Sequence, residues 1–134
     1  MLRASAKNYK DAFNMHWSTF NSSYFHENTG TKILSLIYCV ECGLKYKLIR
    51  EKKFSETDPA LKTHDFRELL KKMKEAGRCS FSTFKTKRGD SVEPKSYHEL
   101  FRYKIAWEET DNENIKKYNE ELTDIANWLK ESIR

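Results

Sequence analysis

The chain has 134 residues, with 25 Lys+Arg against 20 Asp+Glu, a formal net charge of +5, 38% hydrophobic and 13% aromatic residues. That length suits one domain around one core, and turn-formers as few as 4 Gly and 2 Pro exclude a collagen-like chain and disfavour a sandwich of many short strands. The apolar content argues against disorder throughout, and the longest apolar run, residues 33–40 interrupted by Ser35, is far short of the ~20 residues that span a bilayer.

Tyr9, Phe13, Trp17, Phe20 and Tyr24 recur at helical steps, which predicts an amphipathic helix over about residues 4–25. His26-Glu27-Asn28-Thr29-Gly30 then reads as a turn, with Gly30 its strong breaker. Ile33, Ile37, Val40, Leu44 and Leu48 form the next stripe, widened by Leu34, Leu36 and Tyr38, so a central helix touched on several sides is expected over about 31–53. Its basic end, with Lys45, Lys47, Arg50, Lys52 and Lys53, complements the negative end of the helix dipole. After a loop at 54–59, Thr63 reads as the N-cap of a short third helix that carries Phe66, Leu69, Leu70 and Met73 and closes at Gly77.

Residues 79–95 keep no helical period, and Lys87-Arg88-Gly89-Asp90 reads as a turn, with a small hairpin one way to build it. A connection of that length inside a compact domain is usually functional or disordered. Ser96 and Glu99 have the capping-box spacing ahead of Leu100, Phe101 and Ile105, a short fourth helix. Asp111 is placed to cap a last helix bearing Ile115, Tyr118, Leu122, Ile125 and Leu129, running to about residue 133. The expected fold class is all-α: an antiparallel up-and-down bundle of four to five helices, one domain over 1–134, with an irregular basic loop at about 79–95.

Charge is unevenly spread. Residues 1–104 carry 21 bases and 12 acids, or +9, whereas residues 105–134 carry 4 bases and 8 acids, or −4. Lys71, Lys72, Lys74, Arg78, Lys85, Lys87 and Arg88 crowd residues 71–88 against Glu75 alone, a field that attracts phosphate in a salt-dependent way, the alternative being an ordinary solvated lysine face. Phe81, Phe84, Tyr97 or Tyr103 could stack on bases beside it, the alternative being that Phe81 and Phe84 tuck the loop onto the bundle. His98 and Arg102 stand four apart on the fourth helix and so share a face, with Tyr103 beside them; a titrating imidazole and a permanent guanidinium could serve phosphate and proton transfer if a dimer axis brought two copies together, the alternative being that His98 sits in the first turn and Arg102 pairs with Glu99 or solvent. His64 and Asp65 fit a local cap, and Glu41 and Lys45 fit an i,i+4 pair, unless Glu41 is buried, when it marks a polar site or a dimer contact.

Cys39, Cys42 and Cys79 are an odd set without an apolar leader after Met1, which fits reduced thiols and a cytoplasmic location. Cys39-Val-Glu-Cys42 lacks the second ligand pair that zinc needs, so the cysteines read as packed small hydrophobes, and neither metal nor cofactor is expected.

From Glu41-Cys42-Gly43-Leu44-Lys45, through His64-Asp65-Phe66, to Phe101-Arg102-Tyr103 and Ile125-Ala126-Asn127-Trp128-Leu129-Lys130, the chain resembles the HEPN domain family over about residues 9–133. The resemblance implies a helical bundle, usually a homodimer, in bacterial toxin–antitoxin and phage-defence systems. Many members are metal-independent ribonucleases with an R-x4-6-H motif; others bind partners or nucleotides without catalysis, commonly beside a nucleotidyltransferase. Here no arginine precedes a histidine by five to seven positions, Arg88 and His98 coming nearest at ten apart. The expectation is therefore a non-catalytic HEPN-like protein that binds RNA, a nucleotide or a protein partner. Its alternatives are a ribonuclease using His98 and Arg102 and a purely protein–protein dimerisation module.

Overall fold

The computed structural model describes residues 4–21 and 29–133. These residues are mostly helical: α1 (Ala6–Phe20), α2 (Thr29–Glu51), α3 (Phe66–Lys72), α4 (Tyr97–Arg102) and α5 (Asn112–Ser132), with one two-stranded antiparallel sheet, β1 (Phe84–Lys85) and β2 (Ser91–Val92). The helical content agrees with the all-α expectation, and the small sheet lies in the 79–95 segment where a hairpin was one reading. The end of the first predicted helix, residues 22–25, and the His26, Glu27 and Asn28 part of the predicted turn lie outside the described residues. Thr29 and Gly30 belong to α2, so Gly30 does not break the chain there.

Local chemistry sets the helix ends. Ser5 and Asn8 form a reciprocal capping box, the Asn8 amide N–H donating to Ser5 Oγ and the Ser5 N–H to Asn8 Oδ1. Asp65, not Thr63, caps α3 by accepting from the Arg67 and Glu68 N–H groups, while the Thr63 hydroxyl accepts from the Asp65 N–H. Neither Ser96 nor Asp111 makes the expected cap bond: a short 3-10 turn, Pro94–Ser96 or Glu109–Asp111, precedes each helix and already turns the backbone.

Helix C-termini use lysine where glycine is usual. α3 ends not at Gly77 but at Lys74 (φ +62°), where the Glu75 N–H donates to the Leu70 carbonyl and the Lys74 N–H to that of Lys71, a Schellman closure. Lys104 (φ +53°) closes α4 likewise, with the Ile105 N–H on the Leu100 carbonyl. A side chain at such φ costs about 1–2 kcal/mol against glycine, offset in part by the glycine's freer unfolded chain. Lys74→Gly is therefore expected to raise stability by about 0.5–1 kcal/mol, read as a higher urea midpoint; a lower midpoint would contradict it.

α2 contacts α1, α3, α4 and α5. Phe13, Leu36, Val40, Leu44, Leu48, Leu122 and Leu129 are among the side chains that its stripe buries in one apolar cluster. Gly43 lies where α1, α2 and α5 meet, and a Cβ there would stand 2.8 Å from both Leu129 Cδ1 and Phe13 Cδ1. The basic end of α2 is divided: Arg50, Lys52 and Lys53 are exposed, whereas Lys45 and Lys47 are buried. Lys47 is buried between Glu51 (2.7 Å) and the Trp128 ring (4.9 Å), and buried Lys45 lies 5.8 Å from the Tyr9 ring.

The 79–95 segment is held on the helices by aromatic rings. Phe81, 1% exposed, stands 4.2 Å from Tyr118 and 4.9 Å from Tyr97, with Phe66 at 5.6 Å and Phe84 at 5.8 Å. Polar groups add to the clamp. Ser80 donates twice to the Glu121 carboxylate, the Ser82 N–H to the Tyr118 hydroxyl and Arg67 Nη1 to the Phe81 carbonyl. Lys87-Arg88-Gly89-Asp90 forms the hairpin turn, with Gly89 at φ +87° and Thr86 bridged to Trp107. Among the described residues no helix is long and apolar enough to cross a membrane.

Candidate functional site

α2, the loop before α3, and α4 bring Tyr38, Glu41, His64, His98 and Arg102 into one polar cluster. Tyr38 and Glu41 are three apart on α2, hence on one face. His64 stands just before the Asp65 cap, and His98 and Arg102 one turn apart on α4. Glu41 is 3% exposed, and its Oε2 lies 3.2 Å from His64 Nδ1. The His64 and His98 rings are 4.9 Å apart, and His98 is 6.3 Å from Tyr38. Arg102 donates to the Tyr38 hydroxyl and lies 5.8 Å from that ring. His16 of α1 adds a further ring 5.5 Å from Tyr38.

Burial and charge divide the roles. His98 and Arg102 lie one turn apart on α4 as expected, but His98 is only 6% exposed: the accessible imidazole of the cluster is His64, whose side chain is 56% exposed, while Arg102 is exposed. With Glu41 ionised, Nδ1–H of His64 donates to the carboxylate, and Nε2 is left as the free nitrogen of the exposed ring. Burial raises the pKa of Glu41, opposed by the hydrogen bond and charge of His64 and by Lys45 and Arg102. Burial likewise lowers that of His98, aided by His64 and Arg102 and opposed by Glu99. Tyr103 and Tyr38 reinforce the permanent positive charge of Arg102. Glu41 Oε1 and His98 Nδ1 are buried without a hydrogen-bond partner among the described residues.

This arrangement can hold an anion at Arg102 and His64 and pass a proton through a carboxylate-anchored imidazole. It does not make a metal-ligating group among the described residues. The two residues that sequence reasoning left to local capping and pairing, His64 and Glu41, are central to it, and Tyr38, read as core, lines it. The spacing of Tyr38, Glu41 and Lys45 along one helical face was the available signal.

The basic residues fall on separate elements. Lys71 and Lys72 are exposed on the last turn of α3 and Lys74 follows it, whereas Lys85, Lys87 and Arg88 are exposed on the hairpin. Arg78 is committed elsewhere, its Nε donating to Glu75 at 2.9 Å and its guanidinium 4.0 Å from the Trp128 ring. Phe81, Phe84 and Tyr97 are buried and so excluded as base-stacking groups, while Tyr103 is 62% exposed. Cys39, Cys42 and Cys79 are free thiols whose burial pushes their pKa up to about 12, 11 and 12. They are thus poor nucleophiles. Comparison of the chain with protein-family models, with curated proteins and with solved structures finds no match.

Proposed function

We propose that the chain is a HEPN-like up-and-down helical bundle that binds an RNA or nucleotide phosphate without cleaving it, as a cytoplasmic homodimeric component of a bacterial toxin–antitoxin or phage-defence system. Its partner there would be a nucleotidyltransferase or another defence protein. The observation that supports this reading is the convergence of Glu41, His64 and Arg102, which come from three of the stretches that carry the family resemblance, around the ring of His98. Arg102 offers a two-pronged donor to phosphate, His64 a second contact and Tyr103 a stacking surface. Lys85, Lys87 and Arg88 extend the positive field.

A second reading, metal-independent RNA cleavage, draws on the Glu41–His64 pair, since a carboxylate that fixes one imidazole nitrogen leaves the other to take a proton. One experiment separates the readings: labelled single-stranded RNA and ATP are titrated in chelator between about 50 and 200 mM salt, and the RNA is then run on a denaturing gel. Retention of intact RNA, falling steeply with salt and weakened about tenfold by Arg102→Ala, is the expected outcome. Reversal of charge at Lys85, Lys87 and Arg88 should flatten the salt dependence. Cleavage lost in both His64→Ala and Arg102→Ala would instead establish the ribonuclease, and no retention at low salt would leave the protein–protein module.

A further inference from the structure

Resting on the phosphate-binding reading, we infer that a phosphate at this site is held together with one extra proton on the Glu41–His64 pair, so that binding takes up a proton and strengthens as pH falls. The Glu41 carboxylate is 3% exposed and lies 3.2 Å from His64 Nδ1. With the carboxylate ionised and the imidazole neutral, a single proton occupies that contact. His64 Nε2 then carries a lone pair, which repels a phosphate oxygen instead of binding it. Nε2 donates only when the pair holds a second proton, and it does not matter which partner takes it. A carboxylate facing an imidazolium and a carboxylic acid donating to Nδ1 both leave a hydrogen on Nε2 of the exposed ring.

The groups around the pair make an anion the partner that draws this proton in. On α4 the exposed Arg102 is permanently charged, and its field reaches both Glu41 and His98. The His98 ring, 4.9 Å from His64, is buried, and burial lowers its pKa, so it holds a positive charge poorly; Glu99 faces it from the same helix. From α2, Glu41 supplies the negative charge, Lys45 a positive one and Tyr38 a hydroxyl that accepts from Arg102, while α1 sets His16 against the Tyr38 ring. Beside His64 in the chain, the Asp65 carboxylate is engaged by the Arg67 and Glu68 N–H groups. A second proton on the pair therefore adds positive charge next to Arg102, and an anion accepting from both converts that repulsion into two charge-assisted hydrogen bonds. By linkage, the ligand that favours the protonated pair binds more tightly where the proton is more available.

The test uses the full chain and a rhodamine-labelled oligouridine without a terminal phosphate, because its diesters keep their charge between about pH 6 and pH 8.5 whereas a phosphomonoester titrates near pH 6. Anisotropy at fixed salt should show affinity falling by up to about tenfold per pH unit on the alkaline side and levelling off on the acid side. Titration calorimetry in two buffers of different ionisation enthalpy should show proton uptake on binding at the alkaline end. His64→Gln keeps an amide donor that does not titrate, so its affinity should no longer vary with pH, with circular dichroism confirming the fold at each pH. Binding that Arg102→Ala weakens but that is independent of pH in the wild type overturns the inference and leaves the phosphate reading standing. A pH dependence that survives in His64→Gln overturns it as well, because the proton then sits elsewhere. Absence of binding at every pH overturns both.

Discussion

Phe81→Ala is expected to cost about 3–5 kcal/mol of folding stability, because the ring fills the space between Tyr97, Tyr118, Phe66 and Phe84 and leaves a cavity that rigid aromatic neighbours cannot close. Edge-to-face contacts at 4.9 Å to Tyr97 and 5.6 Å to Phe66 add to the loss beyond area alone. The effect is also local. Phe81 and Phe84 are the apolar anchors of a segment whose outer positions are Ser80, Ser82, Thr83, Lys85 and Lys87, all exposed. Urea unfolding measures the first expectation, and faster proteolysis after Lys85, Lys87 and Arg88 the second. A loss below about 1 kcal/mol would show that the ring is not the anchor. If the hairpin cations contribute to RNA retention, the same variant should weaken binding with Arg102 untouched.

Glu41→Leu is expected to act in the opposite direction on stability and to damage the site. Burial outweighs the attractions of His64, Lys45 and Arg102, so the carboxylate is held in the fold at a net cost, with Oε1 unpartnered. A leucine of similar shape removes that cost, a gain of about 1–3 kcal/mol at neutral pH. The sign with pH follows from linkage. A carboxyl whose folded pKa lies above the ordinary 4.5 gives up its proton more readily when unfolded, so the wild type loses stability as pH rises from about 4.5 through the folded value. The advantage of Glu41→Leu should therefore grow over that window and shrink below it.

His98 works the other way. Its folded pKa lies below the ordinary 6.5, so the stability it contributes is present above 6.5 and lost as pH falls through the folded value; His98→Gln should flatten that decline. The groups that face it are His64, Arg102 and Glu99, with the Tyr38 ring alongside. Urea midpoints at pH 5, 6.5 and 8 for the three proteins check both signs. Equal midpoints for wild type and Glu41→Leu at pH 8 would contradict the buried-carboxylate account. Loss of phosphate binding in Glu41→Leu, despite its higher stability, would show what the carboxylate is retained for: holding His64 in one orientation at the expense of stability.

Helical periodicity located the five α-helices of the described residues, since apolar residues three and four apart must be buried together whatever the neighbours are. Leu44, Leu122 and Leu129 occupy the core that their stripes imply. Helix ends were less legible. Thr63 and Gly77 have the residue types of caps, yet Asp65 and Lys74 do the work, because a cap is chosen by where the chain is forced to turn and several nearby residues can serve. Phe81 and Phe84 were legible only as alternatives: a ring in an aperiodic basic stretch suits a core and a nucleobase equally, and burial against Tyr118 decides it.

For the site, the residue types were visible in the chain, but their grouping was not. His98 and Arg102 are read as partners because one helix places them a turn apart, a relation the backbone period fixes. That His64 comes to lie against His98, that Glu41 is buried beneath it and that Lys45 and Lys47 are covered by aromatic rings depend on how α2 packs against α1, α3, α4 and α5. Composition, charge distribution, the helices and their apolar faces were thus determined by the sequence on its own, through short-range sterics and the burial of apolar surface. Which polar groups were taken out of water together was decided by the tertiary structure, since burial and electrostatic coupling depend on distances between residues far apart in the chain.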